Sequence, residues 1–348
     1  MSHLLPCAYG GTGSDGPARP AFGAGGRRII RICVFRLTME PLFFEPIYRE
    51  RVWGGRRLET LLGRALPGGI PIGESWELVD REEAQSIVRD GPLAGRTLHD
   101  LWQNDRKNMF GALAPAGRRF PILVKLLDAA DRLSLQVHPP ASLAARFHGE
   151  PKSEMWYVID TAPGSELYVG LRRGVTRESF AKAAAAGTVA DCFHRIPTRA
   201  GDCMFLPSGR VHAIGAGHLI AEIQQNSDTT FRVYDWGRKG LDGKPRRLHV
   251  AESLECIDFS DYEPGLQRAK GEVLVSCPLF NVSLAELGSA RTWDGGAERF
   301  YLFMPLHGPV VAGGREVAPG EFFLLPANAG PLRIQALRPE ARILVVTW

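Results

Sequence analysis

From residue 120 onward the chain runs in short apolar stretches of strand length, punctuated by Gly, Pro and Asp. Residues 120–127 (FPILVKLL), 133–138 (LSLQVH), 155–160 (MWYVID) and 166–171 (ELYVGL) read as strands. Each is four to eight residues, rich in β-branched and aromatic side chains, and bounded by turn formers. The series continues at 192–197, 203–206, 211–214, 219–225 and 230–236. It resumes after Gly271 at 273–276, 282–287, 299–305, 321–325, 332–336 and 342–347. Helical spacing is confined to 97–110, with Thr97 as N-cap and Leu98, Leu101 and Trp102 on one face, and to 142–148, 176–186 and 249–257. Many short strands with few helices between them predict a mainly β chain of sandwich, barrel or jelly-roll type rather than a doubly wound sheet.

A length of 348 residues fits two domains at about 100–200 residues each. The polar stretch 258–270 (DFSDYEPGLQRAK) separates two strand-rich blocks, so the expected division is 39–258 and 271–348. Residues 1–38 stand apart. They are mostly Gly, Ala, Ser and Pro up to Gly26, then Arg-rich and apolar to Leu37. Arg31 and Arg36 interrupt the apolar run, which makes it a poor signal-peptide core. A disordered tail, or a start codon assigned upstream of the working protein, is the expectation.

Composition narrows the function classes. The balance of 42 basic and 38 acidic residues leaves a net charge of +4, too even to imply a nucleic-acid or membrane partner. No apolar run approaches the ~18 residues of a membrane span. Cys7, Cys33, Cys192, Cys203, Cys256 and Cys277 form no C-x-x-C pair, which points to reduced thiols in a cytoplasm. Only 7 of the basic residues are lysines against 35 arginines, so a lysine inside an apolar strand stands out.

The sharpest local pattern is Gly201-Asp-Cys-Met-Phe-Leu-Pro207-Ser-Gly209-Arg-Val-His212. A turn glycine, a short strand, a Pro-Ser-Gly turn and a histidine opening the next strand would deliver His212 to the inside of a small barrel. The spacing G-x5-P-x-G-x2-H resembles the second motif of the cupins, small metal-binding β-barrels. Gln136 and His138, at i and i+2, face one side of a strand, and Glu154 opens the following one. Gln136, His138, Glu154 and His212 together make a mixed nitrogen and oxygen donor set suited to a borderline divalent ion, with Zn²⁺ expected. An iron or manganese oxygenase site is the competing chemistry. It is disfavoured because Gln136 stands where such sites use imidazole. A sugar-binding cupin without catalysis is the other alternative.

Seven motifs in order carry a wider likeness: Pro41-Leu-Phe-Phe-Glu-Pro, Trp53-Gly-Gly, Gly73-Glu-Ser-Trp, Leu135-Gln-Val-His-Pro, Lys152-Ser-Glu-Met-Trp-Tyr, Pro207-Ser-Gly-Arg-Val-His-Ala-Ile and Gln225-Asn-Ser-Asp-Thr-Thr-Phe-Arg-Val-Tyr-Asp. The chain resembles the type I mannose-6-phosphate isomerases of the short bacterial kind. The likeness is dense over 40–259 and looser beyond. It implies a zinc enzyme of the cupin superfamily, with two cupin-like β-domains, interconverting mannose 6-phosphate and fructose 6-phosphate. Gln136, His138, Glu154 and His212 fall on the family's ligands, Arg232 on its catalytic arginine, and Lys152 on a lysine two positions before the glutamate ligand. A monomer acting on a soluble sugar phosphate is in keeping with the family. The block 271–348, where His307 stands alone, reads as a second β-domain without a metal.

Aldose–ketose isomerisation moves a proton between C1 and C2 through a cis-enediol. A metal near the two oxygens and a positioned base are what that chemistry asks for. Lys152 is the expected base, its pKa brought toward neutrality by metal charge, a nearby arginine and desolvation. Arg232, on an apolar strand where an unpaired charge is costly, is expected at the reacting oxygens, and Arg238 near the phosphate. Asp228 is expected to orient Arg232 or cap a turn. Lys125 is expected in a buried ion pair or facing the pocket, and Ser134, two residues before Gln136, within reach of phosphate. Trp53, Trp76 and Trp156 are expected in the core.

Overall fold

The structure, a computed structural model, describes residues 40–348; the expectations for 1–38, including Cys7 and Cys33, lie outside the described residues. Two antiparallel sheets form the body that carries the candidate residues. The first runs, neighbour to neighbour, Ile47–Gly55, Ile72–Leu78, Ile122–Ala129, His218–Gln225, Glu154–Thr161, Cys203–Leu206. The second runs Phe231–Tyr234, Leu135–Val137, His212–Ile214, Glu166–Leu171, Phe193–Pro197. One apolar cluster holds Trp53, Leu127, Trp156, Val158 and Met204 from the first sheet with Leu167, Val169 and Ile214 from the second. The two sheets therefore pack face to face, and inward side chains alternate with outward ones along each strand.

The outer face of the second sheet is covered by the helices Arg177–Ala186 and Val250–Cys256, through Phe180, Leu135, Val233 and Cys256. The outer face of the first sheet packs on Leu98, Leu101, Trp102, Met109 and Phe110, and on Val282, Phe300, Leu302 and Leu344. Val282, Leu302 and Leu344 belong to a six-stranded sheet in the order Leu42–Phe43, Phe323–Leu325, Tyr301–His307, Arg342–Thr347, Asn281–Glu286, Val273–Ser276. The opening strand Leu42–Phe43 thus pairs with Leu324 and Phe323, far along the chain. A four-stranded sheet completes the C-terminal part through a second core that includes Trp293, Phe303, Val317 and Phe323.

The mainly β expectation holds, with corrections in detail. The helical stretch 97–110 is two helices, Leu98–Asn104 and Arg106–Phe110, meeting at Asp105. Thr97 does cap the first, its side chain accepting from the Asp100 N–H. The strands Ile47–Gly55 and Ile72–Leu78 escape the apolar-run criterion, because Arg49, Glu50, Arg51, Glu74 and Glu77 sit among their apolar positions. They cross so closely at Gly54 that a Cβ there would stand 2.4 Å from the Gly73 backbone nitrogen. Trp76 and Trp156 are core residues as expected; Trp53 is buried and also reaches the cavity described below.

Candidate metal centre

Strand pairing brings the four predicted donors together. His212 and Arg232 are both register partners of Gln136, one on either side of its strand. Glu154 opens its own strand opposite Leu206 and Gln224. The Pro-Ser-Gly turn before His212 is tied to the first ligand strand, since the Gly209 N–H donates to the His138 carbonyl at 2.9 Å. Gly209 holds φ +95°, a left-handed conformation in which a Cβ is strained.

The histidines are oriented by their outer nitrogens. His138 Nδ1 lies 2.8 Å from the Thr229 carbonyl, and His212 Nδ1 lies 2.9 Å from the Arg210 carbonyl. A carbonyl only accepts, so each Nδ1 carries the proton and each Nε2 presents a lone pair. The two Nε2 atoms face each other at 3.2 Å. Two lone pairs at that distance repel, and nothing in either imidazole relieves it. Glu154 Oε1 stands 3.4 Å from His212 Nε2, and Oε2 stands 3.5 Å from His138 Nε2. The Gln136 amide is 3.3 Å from His212 Nε2.

Ligand distances of about 2.0–2.1 Å around a tetrahedral zinc imply edges of about 3.4 Å between donors. The three separations between the histidines and Glu154 match that edge. Glu154 Oε1 is buried without a hydrogen-bond partner, which a structure rarely tolerates unless another ligand is meant for it. Among the described residues, His138, Glu154 and His212 are the group of His, Cys, Asp and Glu side chains able to share an ion. Burial and the Lys152 ammonium push His138 down to about 3, and burial lowers His212. Both imidazoles are therefore neutral, the form that binds a cation. The donor set fits a divalent metal.

Lys152 departs from expectation. Burial alone would lower its ammonium, but the carboxylates of Glu154 and Glu222 outweigh it and hold the pKa above the ordinary value. Its Nζ donates to Glu154 Oε2 at 2.5 Å, lies 3.3 Å from His138 Nε2 and sits 3.9 Å from Glu222. Lys152 is thus wedged between the donors and the cavity as an ion-pair partner of Glu154.

A cavity of about 640 Å³ opens beside the donors, lined among others by Lys125, Ser134, Gln136, Lys152, Asp228 and Arg232. A larger cleft, about 710 Å³, holds none of the candidate site residues and lies against Leu61, His307 and Arg342. Both readings of Lys125 apply. It faces the cavity and pairs with Glu222, its cross-strand partner, at 3.6 Å. Ser134 accepts from Arg232 Nε at 3.3 Å. Asp228 makes no ion pair with Arg232; its charge acts on Arg51 and Lys152 instead. Arg238 is not brought to the cavity wall. Its guanidinium is held by Asp131, Asp235 and the Arg132 carbonyl.

Sequence reasoning missed Arg51, Glu74, Glu222 and Arg246, all on the cavity wall. Arg51 donates to both oxygens of Glu74 at 3.0 Å, and Trp76 Nε1 donates at 2.7 Å. Burial would raise the Glu74 carboxyl, but Lys125 and Arg51 hold it at about 2. Glu222 accepts from Trp156 Nε1 at 2.9 Å; burial and the neighbouring Glu154 charge raise its pKa. A row of alternating sign results, Arg51, Glu74, Lys125, Glu222, Lys152, Glu154, running across the first sheet. Glu222 had the same signal that marked Lys125, a charge inside an apolar strand (HLIAEIQQ).

Known proteins share this arrangement of chain. The model of the family "Phosphomannose isomerase type I, catalytic domain" matches residues 42–164. The mannose-6-phosphate isomerase ManA of Bacillus subtilis (strain 168) is 35% identical over 312 residues, covering 86% of this chain and 97% of that protein. The mannose-6-phosphate isomerase of Streptococcus mutans is 38% identical over 250 residues, or 70% of this chain and 78% of that one. The crystal structure of the mannose 6-phosphate isomerase from Bacillus subtilis superposes with a TM-score of 0.78 at 27% identity, spanning 88% of this chain and 99% of that chain.

Proposed function

The chain belongs to the type I phosphomannose isomerases, and on that premise we propose that it interconverts mannose 6-phosphate and fructose 6-phosphate by a zinc-dependent isomerisation through a cis-enediol. The observation that carries the zinc reading is the pair of neutral imidazoles whose Nε2 lone pairs meet at 3.2 Å beside an unpartnered Glu154 oxygen. Gln136, His138, Glu154 and His212 would hold the ion. When bound, it supplies Lewis acidity toward the C1 and C2 oxygens of the open-chain sugar.

The chain's own residues supply the rest. Arg232, in register with Gln136, places a guanidinium at the reacting oxygens, where its fixed donors stabilise charge that grows in the transition state. Lys152 and Glu222 are the couple that moves the proton. Lys152 donates as an ammonium, and the Glu222 carboxylate, 3.9 Å away, accepts. Lys125 and Asp228 present polar groups to the sugar hydroxyls along the same wall.

Catalysis is assigned to 39–258 and a supporting role to 271–348, whose sheet captures the strand Leu42–Phe43. Cys192, Cys203, Cys256 and Cys277 are free thiols, and no helix among the described residues is long and apolar enough to cross a membrane. On the family likeness we propose a cytoplasmic monomer acting on a soluble sugar phosphate. The test is turnover of mannose 6-phosphate by metal-stripped protein with and without added Zn²⁺. Activity lost on chelation and regained with zinc supports the reading. Stoichiometric zinc binding without turnover would move the protein to the sugar-binding, non-catalytic alternative.

A further inference from the structure

The charges on the two sides of the cavity are not arranged alike. On the first sheet Arg51, Lys125 and Lys152 each touch a carboxylate, so the row is close to neutral. On the other side Arg232 and Arg246 both face the cavity. Arg232 has no carboxylate partner; its contacts are Ser134 Oγ and the Arg247 carbonyl, at 3.3 and 2.9 Å. Asp235 serves Arg246 and Arg238 at once, taking Arg246 Nε at 2.7 Å and Nη2 at 2.6 Å, and Arg238 Nη2 at 2.8 Å. One carboxylate thus serves two guanidiniums, and a third, Arg232, stands beside them with none. Asp242, also on the wall, is turned to the Lys244 N–H at 3.0 Å.

The geometry of Arg246 suits a ligand. Asp235 grips one edge of the guanidinium through Nε and Nη2, and Nη1 makes no hydrogen bond among the described residues. A guanidinium fixed by one edge offers the other to an anion, with little entropy left to lose. Arg246 is carried by the compact turn that follows Trp236. In that turn the Gly240 N–H donates to the Lys244 carbonyl at 2.7 Å, and Gly240, Leu241 and Asp242 reach the cavity. Arg238, at the base of the same turn, has both outer nitrogens engaged elsewhere.

We propose that Arg246 determines specificity for the phosphorylated sugar: its free edge forms an anion subsite on the cavity wall, and Asp235 is its holder. This rests on the sugar-phosphate reading above and assigns the phosphate to a residue outside every motif of the family likeness.

The test uses the zinc-loaded full chain and inorganic phosphate as probe, read as competitive inhibition and, without turnover, as calorimetric binding. Arg246→Gln is expected to raise both the KM for mannose 6-phosphate and the phosphate inhibition constant about 10- to 100-fold, the loss of a charge-assisted contact. The change in kcat is expected to stay within about threefold. Lys244→Gln removes the same charge from the same turn and is expected to move neither constant more than about twofold. Arg246→Lys, which keeps the charge but loses the fork, falls between them; it also serves if Arg246→Gln fails to fold, as judged by melting temperature and zinc content. Equal weakening by Arg246→Gln and Lys244→Gln, or a phosphate constant indifferent to Arg246, overturns the proposal. Phosphate binding that depends on Arg246 in a protein with no isomerase turnover keeps the subsite and removes the isomerase reading. Turnover with Arg246-independent phosphate binding does the reverse.

Discussion

Replacing Glu222 with Gln tests whether the alternating row is held together by its charges. Glu222 sits 3.6 Å from Lys125 and 3.9 Å from Lys152, and all three are buried. At an effective dielectric of about 20, each contact carries about 4–5 kcal/mol of attraction. Taking the carboxylate out of water cancels much of this, and its raised pKa records that cost. Breaking a buried pair on one side leaves Lys125 without its ion-pair partner, so Glu222→Gln should destabilise the fold by about 3 kcal/mol. For a folded body of roughly 310 residues that is a fall in Tm of about 5 °C. The amide can still accept from Trp156 Nε1, so the loss reports charge rather than packing. Urea denaturation at pH 7 measures it. Adding Lys125→Met to Glu222→Gln should recover about half the loss or more, because the stranded charge is gone. Turnover should stay down by about 10²–10⁴ in both, because the proton acceptor is missing. A Glu222→Gln protein as stable as the parent, or a double variant less stable than the single by the full cost of a second independent lesion, would refute the charge argument.

Three further outcomes are expected. Chelation with EDTA should lower Tm by about 4 °C relative to protein at a free zinc level of about 100 times Kd, since that occupancy contributes about 2.7 kcal/mol; His212→Ala should abolish the difference, and a chelator-insensitive Tm speaks against a resident metal. Glu74, held at about 2 against an ordinary 4.5, contributes about 3 kcal/mol that is fully present above pH 4.5 and fades as pH falls toward 2. The stability gap between parent and Glu74→Gln should therefore narrow over that window in denaturant titrations, and a constant gap from pH 6 to pH 3 contradicts the assignment. Gly54→Ala, whose Cβ would stand 2.4 Å from the Gly73 nitrogen, should cost about 3 kcal/mol by forcing two strands apart; a Tm within about 1 °C of the parent would show that the crossing is looser than described.

The donor set was legible in the sequence because its geometry is local. Gln136 and His138 are two apart on one strand, and the turn Pro207–Gly209 fixes how His212 enters the next. The strands that carry the cavity's charges were not legible for a related reason. Ile47–Gly55 and Ile72–Leu78 expose Arg51 and Glu74 to a polar interior, so their apolar periodicity is broken at the positions that matter most. Lys125 announced itself as a charge in an apolar strand, yet its partner Glu222 is about a hundred residues away, and pairing across a sheet is set by register rather than by sequence proximity. The upward pull of carboxylates on Lys152 was hidden for the same cause. Desolvation was foreseeable from burial, whereas two carboxylates from separate strands are visible only in three dimensions. Arg238 shows the limit from the other side, since its spacing from Arg232 suggested a phosphate contact that Asp131 and Asp235 turn away.

The two sheets divide the electrostatic work between them. On the first sheet the alternating charges compensate one another, so that wall offers donors and acceptors to neutral hydroxyls without a strong net field. On the second wall, Arg232 and Arg246 share too little counter-charge. A phosphorylated sugar is neutral along most of its length and dianionic at one end, and the proposed subsite at Arg246 is complementary to that end. Arg232, in register with Gln136 and coupled by charge to Arg246, stands where the two demands meet. Burial lowers its pKa and the neighbouring Arg246 lowers it further, with Asp235 opposing, so an anion arriving beside it is met by a guanidinium without a carboxylate partner of its own. On this argument substrate orientation is a consequence of where Asp235 is spent. A variant that moved that carboxylate, such as Asp235→Asn, would weaken phosphate binding by releasing Arg246 from its fixed pose, even though it makes the wall more positive.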